Sequence, residues 1–251
     1  MDSARLTKAQ VKWVRSLQSK KVRDELGLFV AEGEKCVSEL RGTFPLELLV
    51  TPDNASPAEI EQMSSLRTPQ GVIGVFRKGG DATISPTLSY PDTPESSDLV
   101  LALDGIQDPG NLGTIIRTCD WFGIRTIYCS YDTADCFNPK VVQATMGALA
   151  RVRVCYTDLQ PLLLSFREAN LPIYGTLLDG HDMYTTDAIA DRHRGAIVMG
   201  NEGNGLSAPV RALVTHPLYI PRYPHDAKTS ESLNVGIATA VVLAEFRRPT
   251  T

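Results

Sequence analysis

The sequence predicts an α/β fold in which a smaller α/β unit precedes a larger one built on a mostly parallel sheet with helices on both faces. Three observations lead there. Apolar runs of strand length recur at 99–103, 126–129, 151–155, 173–177 and 196–199, as expected of strands in a sheet covered on both faces. Helical stretches at 112–122, 139–148, 159–169 and 207–214 fall between or after them, the alternation that builds parallel sheets. Residues 79–98, with Gly79, Gly80, Pro86, Pro91 and Pro94 among Ser and Thr, carry almost no apolar periodicity and read as a linker.

The smaller unit begins with a basic stretch. Arg5, Lys8, Lys12, Arg15, Lys20, Lys21 and Arg23 precede Asp24, and in a helix Lys8, Lys12 and Arg15 line up on one face at i, i+4, i+7. A solvated helix and a nucleic-acid contact both fit that pattern. A strand over 28–31, a helix over 34–40, a strand over 46–50, a helix over 57–66 and a strand over 71–77 follow. The domain limits expected are therefore 1–78, a linker at 79–98 and a second domain at 99–251.

Composition excludes several classes. An apolar fraction of 43% with 22% charged residues is that of a folded chain rather than a disordered or fibrous one. Neither a membrane-length apolar run nor the apolar centre of a secretory signal is present. The formal net charge of −4 argues against coating nucleic acid by bulk electrostatics and leaves room for a local basic face. Five cysteines, an odd number without a Cys-x-x-Cys pair, predict reduced thiols in a cytoplasmic protein and no metal site. His181, His193 and His216 sit in contexts that suggest packing or surface roles.

In open parallel sheets ligands sit beyond the carboxyl ends of the strands, and three segments there carry unusual residues. The first, LALDGIQDPGNLGTIIRTCDWFG over 101–123, is a strand running through a turn into a helix. At 100° per residue Leu112, Ile115, Ile116, Cys119 and Phe122 share a stripe, and Arg117 falls opposite with Thr114 and Trp121. Asn111 has a plain reading as the helix N-cap. The second, AIVMGNEGNGLS over 196–207, places glycines 200, 203 and 205 after a strand, outside the dinucleotide-binding order. Such glycines let backbone approach a ligand closely, and Glu202 lies among them. The third, over 218–248, runs from YIP through RYPHDAKTSE into SLNVGIATAVVLAEFRR. Its helix is apolar nearly all round and is expected to be buried on most sides, with Ser232 and Asn234 where polar groups cap a helix or receive a ligand.

Together and in this order, DPGNLGTIIRT, IVMGNEGNGLS and IP followed by SLNVGIATAVVLAE resemble the three motifs of the SpoU, or TrmH, family of RNA 2′-O-ribose methyltransferases. The stretch LFVAEGEKCVSEL resembles the start of the ribosomal-protein-like substrate-binding domain that many members carry. The resemblance implies the knotted SPOUT fold, with the C-terminal segment threaded into a trefoil knot against the usual rule. It also implies a homodimer, S-adenosylmethionine as cofactor and structured RNA as substrate, ribosomal RNA ahead of transfer RNA. Matching positions nominate Arg117, Asn111, Glu202, Ser232 and Asn234 for catalysis, and Thr176, Leu177, Gly200, Asn201, Gly205, Ile220 and Leu233 for the cofactor. One stretch departs from the family pattern. IPRYPHDAKTSESLN puts Arg222 where methionine is usual and adds residues, which raises His225 and Lys228 as RNA contacts.

A guanidinium is almost always charged, so the role expected of Arg117 is that of a fixed positive charge that binds phosphate and steadies a developing alkoxide. A base methyltransferase on the same fold, an RNA-binding protein without catalysis and a nucleotide-binding regulatory domain are the competing readings.

Overall fold

In the computed structural model the described residues are 5–79, 98–185, 188–224 and 232–249. The basic N-terminal stretch forms two helices, α1 (Lys8–Ser16) and α2 (Lys20–Leu26). Thr7 opens α1 with a reciprocal capping box to Gln10, and Gly27 closes α2 in the left-handed region at φ 64°. Lys8, Lys12 and Arg15 are exposed as the spacing predicts. Arg23 is not part of that face, because it is 1% exposed and pairs with Asp135 at 2.6 Å.

The chain continues through β1 (Leu28–Glu32), α3 (Glu34–Leu40), β2 (Leu46–Val50), α4 (Pro57–Met63) and β3 (Ile73–Arg77). These strands make an antiparallel sheet in the order β1-β3-β2. Helix α4 stops three residues short of the expected end. Ser64 turns extended there, and the buried Glu32 carboxylate accepts hydrogen bonds from Ser64 Oγ, Ser65 N and Ser65 Oγ.

The second unit holds β4 (Leu99–Asp104), α5 (Pro109–Trp121), β5 (Thr126–Cys129), α6 (Pro139–Thr145), β6 (Arg153–Tyr156), α7 (Leu159–Glu168), β7 (Ile173–Asp182), β8 (Gly195–Gly200), α8 (Ala208–Arg211), β9 (His216–Tyr219) and α9 (Val235–Phe246). The strands pair in the order β6-β5-β4-β8-β7-β9, every pairing parallel. One face packs against α5, α6 and α9 through residues such as Leu101, Ile115, Val142 and Leu243. The other packs against α7 and α8 through Leu163, Phe166, Val198 and Val210.

Further elements differ from expectation. Helix α6 ends at Thr145 because Met146 and Gly147 both turn left-handed, and a short 3-10 turn, Ala148–Ala150, completes the stretch. Strand β9 was not foreseen, since four residues containing Pro217 carry little strand pattern. Helix α9 is buried on most sides, as expected. Val235, Thr239, Val242, Leu243 and Phe246 are enclosed, while Ile237 is 54% exposed and Ala244 is open to solvent. It lies across one flank of the unit, against α5, and leaves an apolar outer face.

The two sheets share a core. Phe29, Phe44 and Phe76 of the small unit gather with Phe137 of the large one, the Phe29 and Phe137 rings 4.6 Å apart. Buried aromatic contacts of this kind, with the Arg23–Asp135 pair beside them, hold the units in fixed register.

Candidate active site

A cavity of about 820 Å³ opens beyond the carboxyl ends of β7, β8 and β9. Each of the seven expected cofactor residues, Thr176, Leu177, Gly200, Asn201, Gly205, Ile220 and Leu233, lines it, as do Glu202 and Ser232. Local chemistry explains why the loop after β8 holds its shape. Asn201 and Gly205 exchange two backbone hydrogen bonds, of 3.0 and 2.8 Å. The Asn201 side chain accepts from Gly203 N and Asn204 N and donates to Gly105 O. Asp104, at the end of β4, accepts from Ser207 N at 2.7 Å and ties the far side of the loop to the sheet. Gly200 is required by space, since a Cβ there would stand 2.4 Å from the Gly205 carbonyl carbon.

Helix α5 begins earlier than its apolar stripe implies. Asp108, not Asn111, is the N-cap, accepting from Asn111 N at 2.8 Å. Relieved of capping, the Asn111 side chain reaches across to donate Nδ2–H to Glu202 Oε1 and to accept from Asn234 Nδ2 at 2.9 Å. Asn234 is the N-cap of α9, its Oδ1 accepting from Gly236 N and Ile237 N. Four of the five nominated catalytic residues thus meet at the rim of the cavity. Three are hydrogen-bonded to one another, and Ser232 lines the cavity beside Leu233.

Arg117 stands apart. It is exposed on the outer face of α5, does not line the cavity and makes no ion pair among the described residues. Trp121, one turn further along the same face, is 85% exposed. Arg222 and Tyr223, from the stretch expected to border the cofactor pocket, both line it, and Tyr223 is 90% exposed. Their only signal was the departure from the family pattern. His225 and Lys228 lie outside the described residues.

No helix among the described residues is long and apolar enough to cross a membrane, and no group of three or more His, Cys, Asp or Glu among them could hold a metal ion. All five cysteines are buried and unpaired. Burial pushes the Cys36 thiol up to about 11 and raises the others as well, so none is poised as a thiolate nucleophile.

Comparison with known proteins adds sequence and structural kinship. The SpoU rRNA methylase family profile matches residues 98–244, and that of the MRM3-like substrate binding domain matches residues 8–64. RlmP of Bacillus subtilis, named as a 23S rRNA (guanosine(2553)-2′-O)-methyltransferase, is 29% identical over 243 residues, covering 95% of this chain and 96% of that protein. A solved Porphyromonas gingivalis structure assigned to the TrmH family superposes with a TM-score of 0.82 at 37% identity, over 98% of this chain and 99% of that one. An AdoMet-bound rRNA methyltransferase from Sinorhizobium meliloti gives 0.82 at 30% identity, over 99% and 97%.

Proposed function

The chain belongs to the SpoU rRNA methylase family, and from that premise we propose that it transfers a methyl group from S-adenosylmethionine to a ribose 2′-hydroxyl of structured RNA, ribosomal ahead of transfer RNA. The observation that carries the reading is the convergence of Asn111, Glu202 and Asn234, from three distant segments, on the rim of one cavity. The methyltransferase named for the Bacillus relative and the AdoMet bound in the Sinorhizobium structure support substrate and cofactor.

The cavity fits such a cofactor. Its volume lies within the usual range for small-molecule sites, roughly 300–1,000 Å³. Leu177, Leu206, Ile220, Leu233, Val235 and Ala238 give apolar walls for a flat base. Without side chains, Gly203 and Gly205 let a polar tail come close to the loop backbone.

Bound there, the cofactor would supply an electrophilic methyl group on a sulfonium. The protein's part is to bring a ribose oxygen into line with it, and fixed orientation of this kind lowers barriers by up to about 7–11 kcal/mol. Glu202, held by Asn111, accepts a hydrogen bond from the incoming hydroxyl and fixes its direction. Asn234 keeps Asn111 facing Glu202, and Ser232 borders the same space. The methylated oxygen passes its proton through the Glu202 carboxylate that accepts from it to solvent, and a cation beside it stabilises the charge that builds up meanwhile. Arg117 is the cation nominated for that task.

Its position calls for a second copy of the chain. Arg117, Trp121, Ile237 and Ala244 lie on the exposed faces of α5 and α9, and an apolar surface interrupted by one functional arginine suits a twofold interface. We therefore read the active form as a homodimer in which each Arg117 serves the partner's cavity. The same proposal includes domains at 1–78 and 99–251 with a linker at 79–98, of which 80–97 lie outside the described residues, and a cytoplasmic location, supported by five unpaired thiols. It also includes a C-terminal knot, supported by the kinship with the SpoU rRNA methylase family.

The test is methyl transfer itself. The full chain is incubated with methyl-labelled S-adenosylmethionine and ribosomal RNA, and the RNA is digested to nucleosides for mass spectrometry. A labelled 2′-O-methylnucleoside is expected. Label on a base would move the chain to base methylation, and the absence of cofactor binding by calorimetry would leave it an RNA-binding protein.

A further inference from the structure

A second hollow, of about 550 Å³, opens at the opposite end of the sheet, where β7, β8 and β9 begin. Arg167, Asn170, Asp191, Arg194, Thr215 and His216 line it. We propose that this hollow is a phosphate-binding site, filled by a backbone phosphodiester of the RNA substrate or by a free phosphate-bearing molecule, with Arg194 and Arg167 as its anchors.

Two cations here have no carboxylate counterpart among the described residues. Arg23, Arg77, Arg151, Arg192, Arg211 and Arg248 each pair with a carboxylate. Neither Arg167 nor Arg194 does so among the described residues. For Arg167 the last turn of α7 offers a partial reason, since cations are favoured at helix C-termini. Arg194 lies on no helix and has no such reason. Its side chain is half-buried, and its Nε is sealed from solvent without a hydrogen-bond partner. A guanidinium partly withdrawn from water and left unpaired is unfavourable, and an oxyanion in the hollow would supply the missing charge. The sealed Nε leaves the two terminal nitrogens as the fork that grips two oxygens of a phosphate at once.

The rest of the lining agrees. Asp191 is the acid in the hollow, and its Oδ1 already accepts from His193 N and Arg194 N, so it shapes the turn before β8. Thr215 and His216 are joined through Oγ1 and Nδ1 at 2.8 Å, and Asn170, left-handed at φ 54°, sits beyond the end of α7. Thr215 Oγ1 also accepts from Ile173 N at 2.9 Å, so the His216 Nε2 and the Asn170 amide are the groups suited to the remaining phosphate oxygens. The neighbouring hollow below β4 and β5 adds Arg125, His193 and Arg247, opposed by Asp98. A chain with a net charge of −4 thus concentrates cations along the sheet edge remote from the cofactor cavity, and an extended RNA that reaches the cavity has backbone to spare for that edge.

The RNA arm rests on the methyltransferase reading, whereas the phosphate arm does not, so the two are measured separately on the full chain. Inorganic phosphate is titrated while the His216 ring resonances are followed by NMR. Saturable shifts are expected for the wild type and for Lys8→Ala, and their loss in Arg194→Gln. Ribosomal RNA binding is then measured against salt. Arg167→Ala with Arg194→Gln is expected to weaken it at least about fivefold and to lower the log–log salt slope by roughly one to two, one unit or less per lost phosphate contact. S-adenosylmethionine affinity is expected to stay unchanged. Phosphate binding with unaltered RNA affinity would assign the site to a free phosphate-bearing molecule. Silence of His216 toward phosphate, together with unaltered RNA binding in the exposed-residue variant Arg167→Ala and in the double variant, would overturn the site. A chain that failed to bind S-adenosylmethionine yet kept the phosphate shifts would lose its methyltransferase reading and retain this one.

Discussion

Asn111 and Glu202, 91 residues apart in sequence, meet through a hydrogen bond from the asparagine amide to the carboxylate, and Asn234 completes the group by donating to Asn111 Oδ1. Residues that work as one network do not contribute additively. Asn111→Ala and Glu202→Ala are each expected to lower kcat about a hundredfold, the scale of removing one preorganised polar group from a reacting centre. The double variant should be little worse than the poorer single one. Steady-state kinetics on ribosomal RNA gives the answer, and additive losses would mean that the two side chains act separately.

Arg117 faces away from the cavity of its own chain, so its contribution is separable from cofactor binding. Arg117→Ala is expected to lose at least about two orders of magnitude in turnover, as for a group that acts mainly in the transition state. Cofactor affinity measured by calorimetry should hold. Mixing Arg117→Ala chains with Glu202→Ala chains should restore about a quarter of the wild-type sites, because only mixed twofold dimers rebuild one complete site. No recovery on mixing would return Arg117 to its own subunit.

At Gly200 the constraint is backbone against backbone. An added methyl group would meet Gly205 C at 2.4 Å and Leu206 N at 2.5 Å, and neither can swing aside as a flexible side chain could. Gly200→Ala should therefore open the Asn201–Gly205 bridge, with a cost of about 1–3 kcal/mol for an overpacked site. Cofactor affinity is expected to fall at least tenfold, with the melting temperature lower by roughly 2–12 °C. A variant with wild-type affinity would show that the loop shape is not what holds the cofactor.

Most of the large unit was legible because its strands are buried on both faces and so are written as unbroken apolar runs, as in 99–103 and 196–199. The cavity residues were legible through the family motifs, and all seven line one space. What escaped had physical reasons. Asn111 and Asp108 compete for one cap by spacing alone, and only the turn geometry settles it for Asp108. Arg23 sits in a run of exposed cations, and nothing local reveals that Asp135, 112 residues away, draws it inside. Helix α9 is buried on most sides as its composition implies, and only the exposure of Ile237 and Ala244 could not be told from the apolar pattern. The hollow around Arg194 carries no motif, because its residues come from the ends of four separate elements.

The Arg23–Asp135 pair joins the two sheets at side-chain exposures of 2% and 9%. Removing one partner leaves a charge stranded in a poorly solvated place, which typically costs about 3–5 kcal/mol. Asp135→Ala is expected to be destabilising on that scale in chemical denaturation, and Arg23→Met with Asp135→Leu together far less so. Equal losses in the single and double variants would show that packing around the residues, not the stranded charge, carries the effect.

Alkaline pH should act through the buried thiols. Burial raises the Cys36 thiol from 9.0 to about 11, and Cys155 moves in the same direction. The unfolded chain therefore loses these protons at lower pH than the folded one. Stabilisation from the raised values is complete below the unfolded pKa and is lost as pH climbs through the folded one. The urea midpoint should hold steady up to about pH 8.5 and then fall between roughly pH 9 and 11. Cys36→Ala should flatten part of that decline while leaving the neutral-pH midpoint close to or below the wild type. Over the same window the thiols of the folded chain should stay unreactive toward a disulfide reagent until unfolding begins. Rapid modification at pH 8 in the absence of denaturant would show that the five side chains are not enclosed as described.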